Sequence, residues 1–165
     1  MNLIFRPASI SDALLIQQLA NTIWLRHYPG IISIPQIEFM LEKMYSSSVI
    51  INEIEKGYHW IVVLDNNQPI GFIEFHFEED TMKVKLSKLY ILLHYHGKGV
   101  GQAALEYVKK QTKLLLAHTL YLTVNKMNSK AIAAYKKAGF IIEREMKVDI
   151  GNNFVMDDYL MSIQL

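Results

Sequence analysis

KLYILLHYHGKGVGQAALEYV, Lys88 to Val108, runs from a strand-like stretch through glycines 97, 99 and 101 into a helical pattern. The strand side, Met82 to Leu92, alternates poorly. On the helix side, AALEYVKKQTKLLL, Ala103 to Leu116, repeats its apolar residues at helical spacing, and TLYLTV, Thr119 to Val124, follows as an apolar strand of the kind a parallel sheet buries on both faces. A strand, glycine loop, helix, strand unit implies a parallel crossover.

Working outward, SKAIAAYKKA after Asn128 reads as a short helix capped by Asn128 or Ser129 and ended by Gly139, and two strands follow near Ile141 to Ile150 and Phe154 to Ile163. Upstream, WIVVLDNNQPIGFIEFHF, Trp60 to Phe77, has two strand runs flanking Asp65 to Pro69, where Asn66 and Asn67 tolerate turn geometry. LIFRPA, Leu3 to Ala8, predicts a first strand, and Ser9, Ser11 and Asp12 offer caps to the helix Ala13 to Trp24. After a break at His27 to Ser33, Ile37, Met40, Leu41 and Met44 mark a second helix, and Val49 to Lys56 a short third. The order predicts an α/β (α+β) fold: a mixed, mostly antiparallel sheet of about seven strands, with helices on both faces.

The chain has 165 residues, of which 51% are apolar and 20% charged, a globular composition that fits a single domain over residues 1–165. No apolar stretch approaches the about 18 residues of a membrane span. MNLIFRPASISD lacks a basic segment followed by an apolar run and a small-residue cleavage site, and with zero cysteines a cytoplasmic protein is expected. A net charge of +1 gives no reason to expect nucleic acid, so a small ligand is the starting expectation. No metal site is expected.

HGKGVG, His96 to Gly101, has what anion binding needs: glycines that let several N–H groups converge, and a helix whose unpaired N–H groups and positive dipole end face the same place. Lys98 adds a charge. By itself such a loop also serves as a turn that merely reverses the chain. A nucleotide P-loop fails, because Lys98 is followed by Gly99 and no glycine lies at the required distance before Gly97. The dinucleotide fingerprint fails at Gln102 and at LLLAHTLYL, which has no ribose-binding acid.

The segment Lys88 to Val108 resembles the phosphate loop of the GNAT superfamily of N-acetyltransferases, with His96 where Gln or Arg is usual. NSKAIAAYKKAGF, Asn128 to Phe140, resembles a second segment of that family, with its asparagine, alanine, tyrosine and closing Gly-Phe. More broadly, IEFMLEKMYS, SKLYILL and DIGNNFVMDDYLM are similar to spermidine/spermine acetyltransferases of the PaiA type. The resemblance implies a GNAT-like fold, acetyl-CoA as cosubstrate and a small-molecule primary amine as acceptor, with a polyamine as one candidate. It implies no membrane partner and leaves a homodimer open. It places the pyrophosphate on His96, Gly97, Lys98, Gly99, Val100 and Gly101, and the pantetheine arm along Leu89, Tyr90 and Ile91. One N–H of that strand then polarises the acetyl carbonyl.

Acetyl transfer also needs a proton for the departing thiolate and a neutral amine. Tyr135 is the expected general acid: a phenol of pKa about 10 lies above a thiol of about 8.5. Without the resemblance, a core tyrosine packed on the Ala131 and Ala138 face is the preferred reading, and the resemblance reverses that. Asn128 either caps its helix or also contacts the cofactor arm, and Lys137 either reaches a phosphate or is solvated. Presenting an ammonium of pKa about 10.4 as neutral amine at pH 7 costs about 4.6 kcal/mol, so a base is expected, with Glu74 and His76 on one strand face as candidates. Glu78, Glu79 and Asp80 either attract a polycation or form an ordinary acidic turn. The alternative to an enzyme is a non-catalytic acyl-CoA-binding sensor.

Overall fold

The computed structural model describes all of residues 1–165. In chain order the elements are β1 (Leu3–Pro7), α1 (Ala13–His27), α2 (Ile34–Tyr45), α3 (Ser47–Glu55), β2 (His59–Asp65), β3 (Gln68–Glu78), β4 (Lys83–Ile91), α4 (Val100–Leu114), β5 (Thr119–Asn125), α5 (Ser129–Lys137), β6 (Ile141–Gly151) and β7 (Phe154–Gln164). Seven strands form one sheet in the order β1-β2-β3-β4-β5-β7-β6. Every neighbouring pair is antiparallel except β4 and β5, the parallel pair that the crossover predicts.

Side-chain alternation divides the core in two. Ile61, Val63, Ile73, Phe75, Leu120 and Leu122 face α4 and α5, while Trp60, Val62, Leu64 and Phe72 face α1, α2 and α3. Alternation along β4 changes phase partway. Val84 and Leu86 pack toward α4, but so do Leu89 and Ile91, because Ser87 has no partner where the register with β3 slips between Glu74↔Lys88 and Phe75↔Leu86. This one-residue bulge turns Lys88 and Tyr90 to the α1 side, and it explains why the sequence of β4 alternates poorly.

The parallel pairing of β4 with β5 is short. It consists of Val84↔Leu120 and Lys85↔Tyr121, after which the strands part, so the sheet is split from Lys88 onward. The right-handed twist of strands accumulates here with no ladder to resist it.

Local chemistry explains most boundaries. Asn66 and Asn67 take φ of 47° and 66°, as a tight hairpin between twisted strands requires, and Asn152 and Asn153 repeat this between β6 and β7 at 55° and 60°. Ser33 caps α2 by accepting from the Gln36 N–H, with Pro35 in the first turn. The glycine-loop helix starts at Val100, three residues before the expected Ala103, because Gly99 takes the cap position at φ 84° and Gly101 is accommodated within the first turn. No helix is long and apolar enough to cross a membrane.

Gly71 is required by close approach of backbone: a Cβ there would lie 2.3 Å from the Tyr90 carbonyl oxygen and 3.0 Å from the Ile91 Cα. Gly71→Ala is therefore expected to destabilise the fold by about 2 kcal/mol or more, by forcing β3 away from β4. Urea unfolding measures this, and an unchanged midpoint would show that the two strands can separate freely.

Candidate active site

Two cavities open on opposite faces of the split sheet. One, of about 550 Å³, lies on the α1 side and is walled by Tyr28, Tyr45, Glu74, Lys88, Tyr90 and Asp158. The other, of about 310 Å³, lies on the α4 side between the glycine loop, Leu105 and the small residues Ala131 and Ala134. Leu89, Ile91, His96, Ala131 and Tyr135 line both, so the cavities meet where β4 and β5 part.

On the α4 side the loop has the form of an anion cradle. Gly97 and Gly99 take φ of 74° and 84°, and at Gly97, Gly99 and Gly101 an added Cβ would meet nothing within 4 Å. The first helical bond of α4 runs from the Ala103 N–H to the Gly99 carbonyl, which leaves the N–H groups of Val100, Gly101 and Gln102 without intrahelical acceptors. The Val100 side chain is buried in the core, so this residue offers only its backbone. His96 places Nε2 2.9 Å from the Ile91 carbonyl oxygen. A carbonyl only accepts, so Nε2 carries the proton, and the ring ties the loop to the end of β4. Lys98 is exposed and rests over the Tyr95 ring at 5.5 Å.

α5 is fastened to α4 by the Gln102 amide donating to the Ala134 carbonyl at 3.0 Å and by Lys109 donating to the Ala138 carbonyl at 2.7 Å. That docking sets Tyr135 at the junction of the cavities. Burial pushes its phenol up to about 12, so it is protonated at neutral pH. Asn128 does cap α5, accepting from the Ala131 N–H at 3.3 Å, and its amide nitrogen lies 3.2 Å from His27 Nε2. His27 thus accepts there. Burial, with the nearby His96, holds it below the ordinary imidazole range and hence neutral. Lys137 is exposed and lines neither cavity, whereas Lys130, two turns earlier at the start of α5, borders the α4-side cavity.

The α1-side cavity contains a buried ion network. Glu74 is fully buried, with one oxygen 2.9 Å from Lys88 Nζ and the other 2.8 Å from His76 Nδ1. Lys88 also contacts Glu53 at 3.1 Å, and Glu53 accepts from the Trp60 indole at 3.0 Å. Burial alone would raise the Glu74 carboxyl, but the His76 hydrogen bond and the Lys88 ammonium together hold it below its usual range. Both oxygens are engaged and the anion is stabilised, so Glu74 is a weak and occupied base. His76 stacks on Tyr58 with ring centres 4.1 Å apart. Tyr28, Tyr45 and Tyr90 form a buried cluster, with the Tyr28 and Tyr90 hydroxyls 3.1 Å apart, and burial raises all three well above the ordinary phenol range.

Of the residues singled out from sequence, the fold gathers Leu89, Tyr90, Ile91, His96, Asn128, Tyr135, Glu74 and His76 around the split. Sequence reasoning missed Lys88, His27, Tyr28 and Asp158. Lys88 stood within the quoted motif, but only the bulge at Ser87 turns it inward. Asp158 stood in DDYLM, where alternation alone does not say which of two aspartates faces the core.

A sheet split between two cavities, with an anion cradle on one face and an acidic, aromatic chamber on the other, defines an enzyme that joins two substrates through the sheet. Residues 20–140 match the model of the acetyltransferase (GNAT) family, and the chain belongs to that family. It is therefore an N-acetyltransferase that uses acetyl-CoA. It is 30% identical over 95% of its length to the spermidine N(1)-acetyltransferase of Thermoplasma acidophilum, covering 97% of that relative. The crystal structure of the PaiA N-acetyltransferase of Thermoplasma acidophilum in complex with coenzyme A superposes with a TM-score of 0.86 at 26% identity, covering 100% of both chains. A peptidyl-lysine N-acetyltransferase, YjaB of Salmonella typhimurium, is 31% identical over 54% of each chain.

Lys88→Met leaves Glu53 and Glu74 without their cation and is expected to cost about 3 kcal/mol of stability. Adding Glu74→Gln should recover part of that loss. A urea-denaturation double-mutant cycle reads the coupling, and strictly additive losses would show that the ion pair contributes nothing.

Proposed function

We propose that the chain transfers the acetyl group of acetyl-CoA to a primary amine of a polyamine-like small molecule, with Tyr135 as general acid. The observation that carries this is the position of Tyr135 at the junction of the two cavities. The polyamine class is supported by the spermidine acetyltransferase relative and by the charges of the α1-side chamber. There Glu53, Glu74 and Asp158 outnumber Lys85 and Lys88, which leaves the chamber attractive to a polycation.

Acetyl-CoA, when bound, supplies an acyl thioester to the amine. Backbone N–H groups from Gly97 to Gly101 would hold its pyrophosphate, with Lys98 as a mobile countercharge. The open Cβ positions and the free N–H groups of the first turn fit this group. Leu89 and Ile91 turn main-chain groups toward β5 that no ladder occupies, while those of Tyr90 between them face β3; the open edge suits an extended amide-bearing arm and leaves an N–H to polarise a carbonyl. Asn128 positions α5 and so acts on the arm indirectly, and Lys137 is left to long-range attraction of phosphate. With a phenol near 12 against a thiol near 8.5, complete proton transfer from Tyr135 is uphill by about 3.5 units, or about 4.8 kcal/mol. Tyr135 therefore acts first by donating a hydrogen bond to the developing thiolate, and its proton is replaced by one leaving the nitrogen. Glu74 has an electrostatic task in this reading, holding Lys88 and His76 in place. A cytoplasmic location belongs to the same proposal.

Incubation with acetyl-CoA and an amine panel, including spermidine and a lysine-bearing peptide, should release free thiol fastest with the polyamines. Thiol release with the peptide alone would replace the polyamine by a protein acceptor. Tyr135→Phe should lower kcat about 100-fold with the CoA-induced rise in Tm unchanged, and undiminished turnover would remove the acid role. Gly101→Glu, which has room for its side chain, should keep the Tm of the free protein yet weaken CoA binding about tenfold or more by placing a carboxylate at the cradle.

A further inference from the structure

Asp158 is the anomaly of the α1-side chamber. It lies on β7 with Asn125 of β5 and Met146 of β6 as its ladder partners, and its alternation places it on the α1 side of the sheet with Met156. Only 5% of the residue is exposed, it lines the chamber, and its Oδ1 is buried without any hydrogen-bond partner. The one cation near it is committed elsewhere: Lys126 pairs with Asp157 at 2.6 Å and Glu145 at 2.7 Å. Burying an unpaired carboxylate costs stability, and a fold that keeps one on the wall of a substrate chamber has left it for a ligand.

The surroundings say which ligand. The charged and titratable groups that act on Asp158 are Asp157 on its own strand, Lys126 beyond β5 and Tyr28 on α1, and His27 and Tyr135 line the same chamber. The two ladder partners are uncharged. Its ladder partner Asn125 ends β5, beyond the point where β4 and β5 part, which puts the carboxylate at the end of the chamber where the cavities meet. An acceptor entering there meets one free acceptor oxygen and aromatic walls, a site for a cation.

We propose that Asp158 is the carboxylate that binds the reacting ammonium of the acceptor and takes its proton. This rests on the amine-acetyltransferase function proposed above. The ammonium gives one proton to Asp158, and the freed lone pair forms the C–N bond as the C–S bond breaks. The second proton leaving the nitrogen replaces the one Tyr135 donates to sulfur, and Asp158 returns its proton to solvent. One proton is released per turnover, as acetylating an ammonium requires. Burial, with Asp157 adding to it and Lys126 opposing, raises the Asp158 carboxyl to about 6. It is thus a better base than an ordinary aspartate and still ionised at pH 7.5 to receive a cation.

The test compares wild type, Asp158→Asn and Asp157→Asn. Wild-type kcat/KM for spermidine should fall as pH drops through about 6. Asp158→Asn should lose about 100-fold and show no such limb, while its CoA-induced rise in Tm stays intact. Asp157→Asn should turn over normally at pH 8 with the limb moved to lower pH. Without acetyl-CoA, spermidine should raise the Tm of wild type and not of Asp158→Asn. The carboxyl's pKa is raised on folding, so wild type should lose stability relative to Asp158→Asn as pH rises from about 4 through about 6. Above that the variant should melt about 5 °C higher. An Asp158→Asn enzyme that keeps both its turnover and the acidic limb would overturn the assignment and leave the amine acetyltransferase standing. A wild type that takes no amine, while CoA still raises its Tm, would overturn both.

Discussion

The structure depends on β4 and β5 holding together over two residue pairs and then letting go. A parallel ladder carried to the end of both strands would satisfy more backbone groups and close the sheet, and the molecule would have two unconnected faces. Because the ladder stops, the main chain from Leu89 to Ile91 is bonded on its β3 side and has no strand partner on the other, where His96 takes only the Ile91 carbonyl. The two helical layers then communicate through the middle of the protein. An extended cosubstrate arm fits such an edge because it supplies the partners that β5 withholds.

The bulge at Ser87 is the second device, and it works on side chains where the split works on backbone. One unpaired residue exchanges the faces of everything after it, carrying Lys88 and Tyr90 into the α1-side chamber while Leu89 and Ile91 pack toward α4. Without it Glu74 would face the chamber without its cation, and the aromatic cluster of Trp24, Tyr28, Tyr45 and Tyr90 would lose its central ring. These two irregularities, a slipped register and an abandoned ladder, lie within a few residues of each other along β4, and the chemistry lies beside them.

The chamber contrasts two ways of keeping an acid inside a protein. Glu74 is surrounded by a lysine and a histidine that satisfy both oxygens, which makes it structural and a poor proton acceptor. Asp158, similarly buried, is short of partners and held toward the neutral form. A proton acceptor needs the second environment, because a base already stabilised as an anion has little drive to take a proton. From sequence, Glu74 and Asp158 are two acids on strands, and Glu74 was the natural choice because His76 stands two residues away on the same face.

What the sequence by itself determined is what rests on local chemistry. Glycines at 97, 99 and 101 marked a loop open to close approach, which Gly97 and Gly99 make with positive φ and Gly101 inside the first helical turn, Asn66 and Asn67 marked a tight hairpin, and the order of strand and helix patterns a mixed seven-stranded sheet with one parallel crossover. Asn128 and Tyr135 belonged to one short helix and stayed on it. Tertiary structure alone decided which way residues near the split would face and what they would meet. The phase of β4 depended on a bulge that no periodicity encodes, the docking of α5 on α4 carried Tyr135 to the gap, and strand neighbours distant in sequence left Asp158 without a cation and gave Glu74 two partners. Register and burial are set by long-range contacts, and a carboxylate's proton affinity follows from those contacts rather than from its place in the chain.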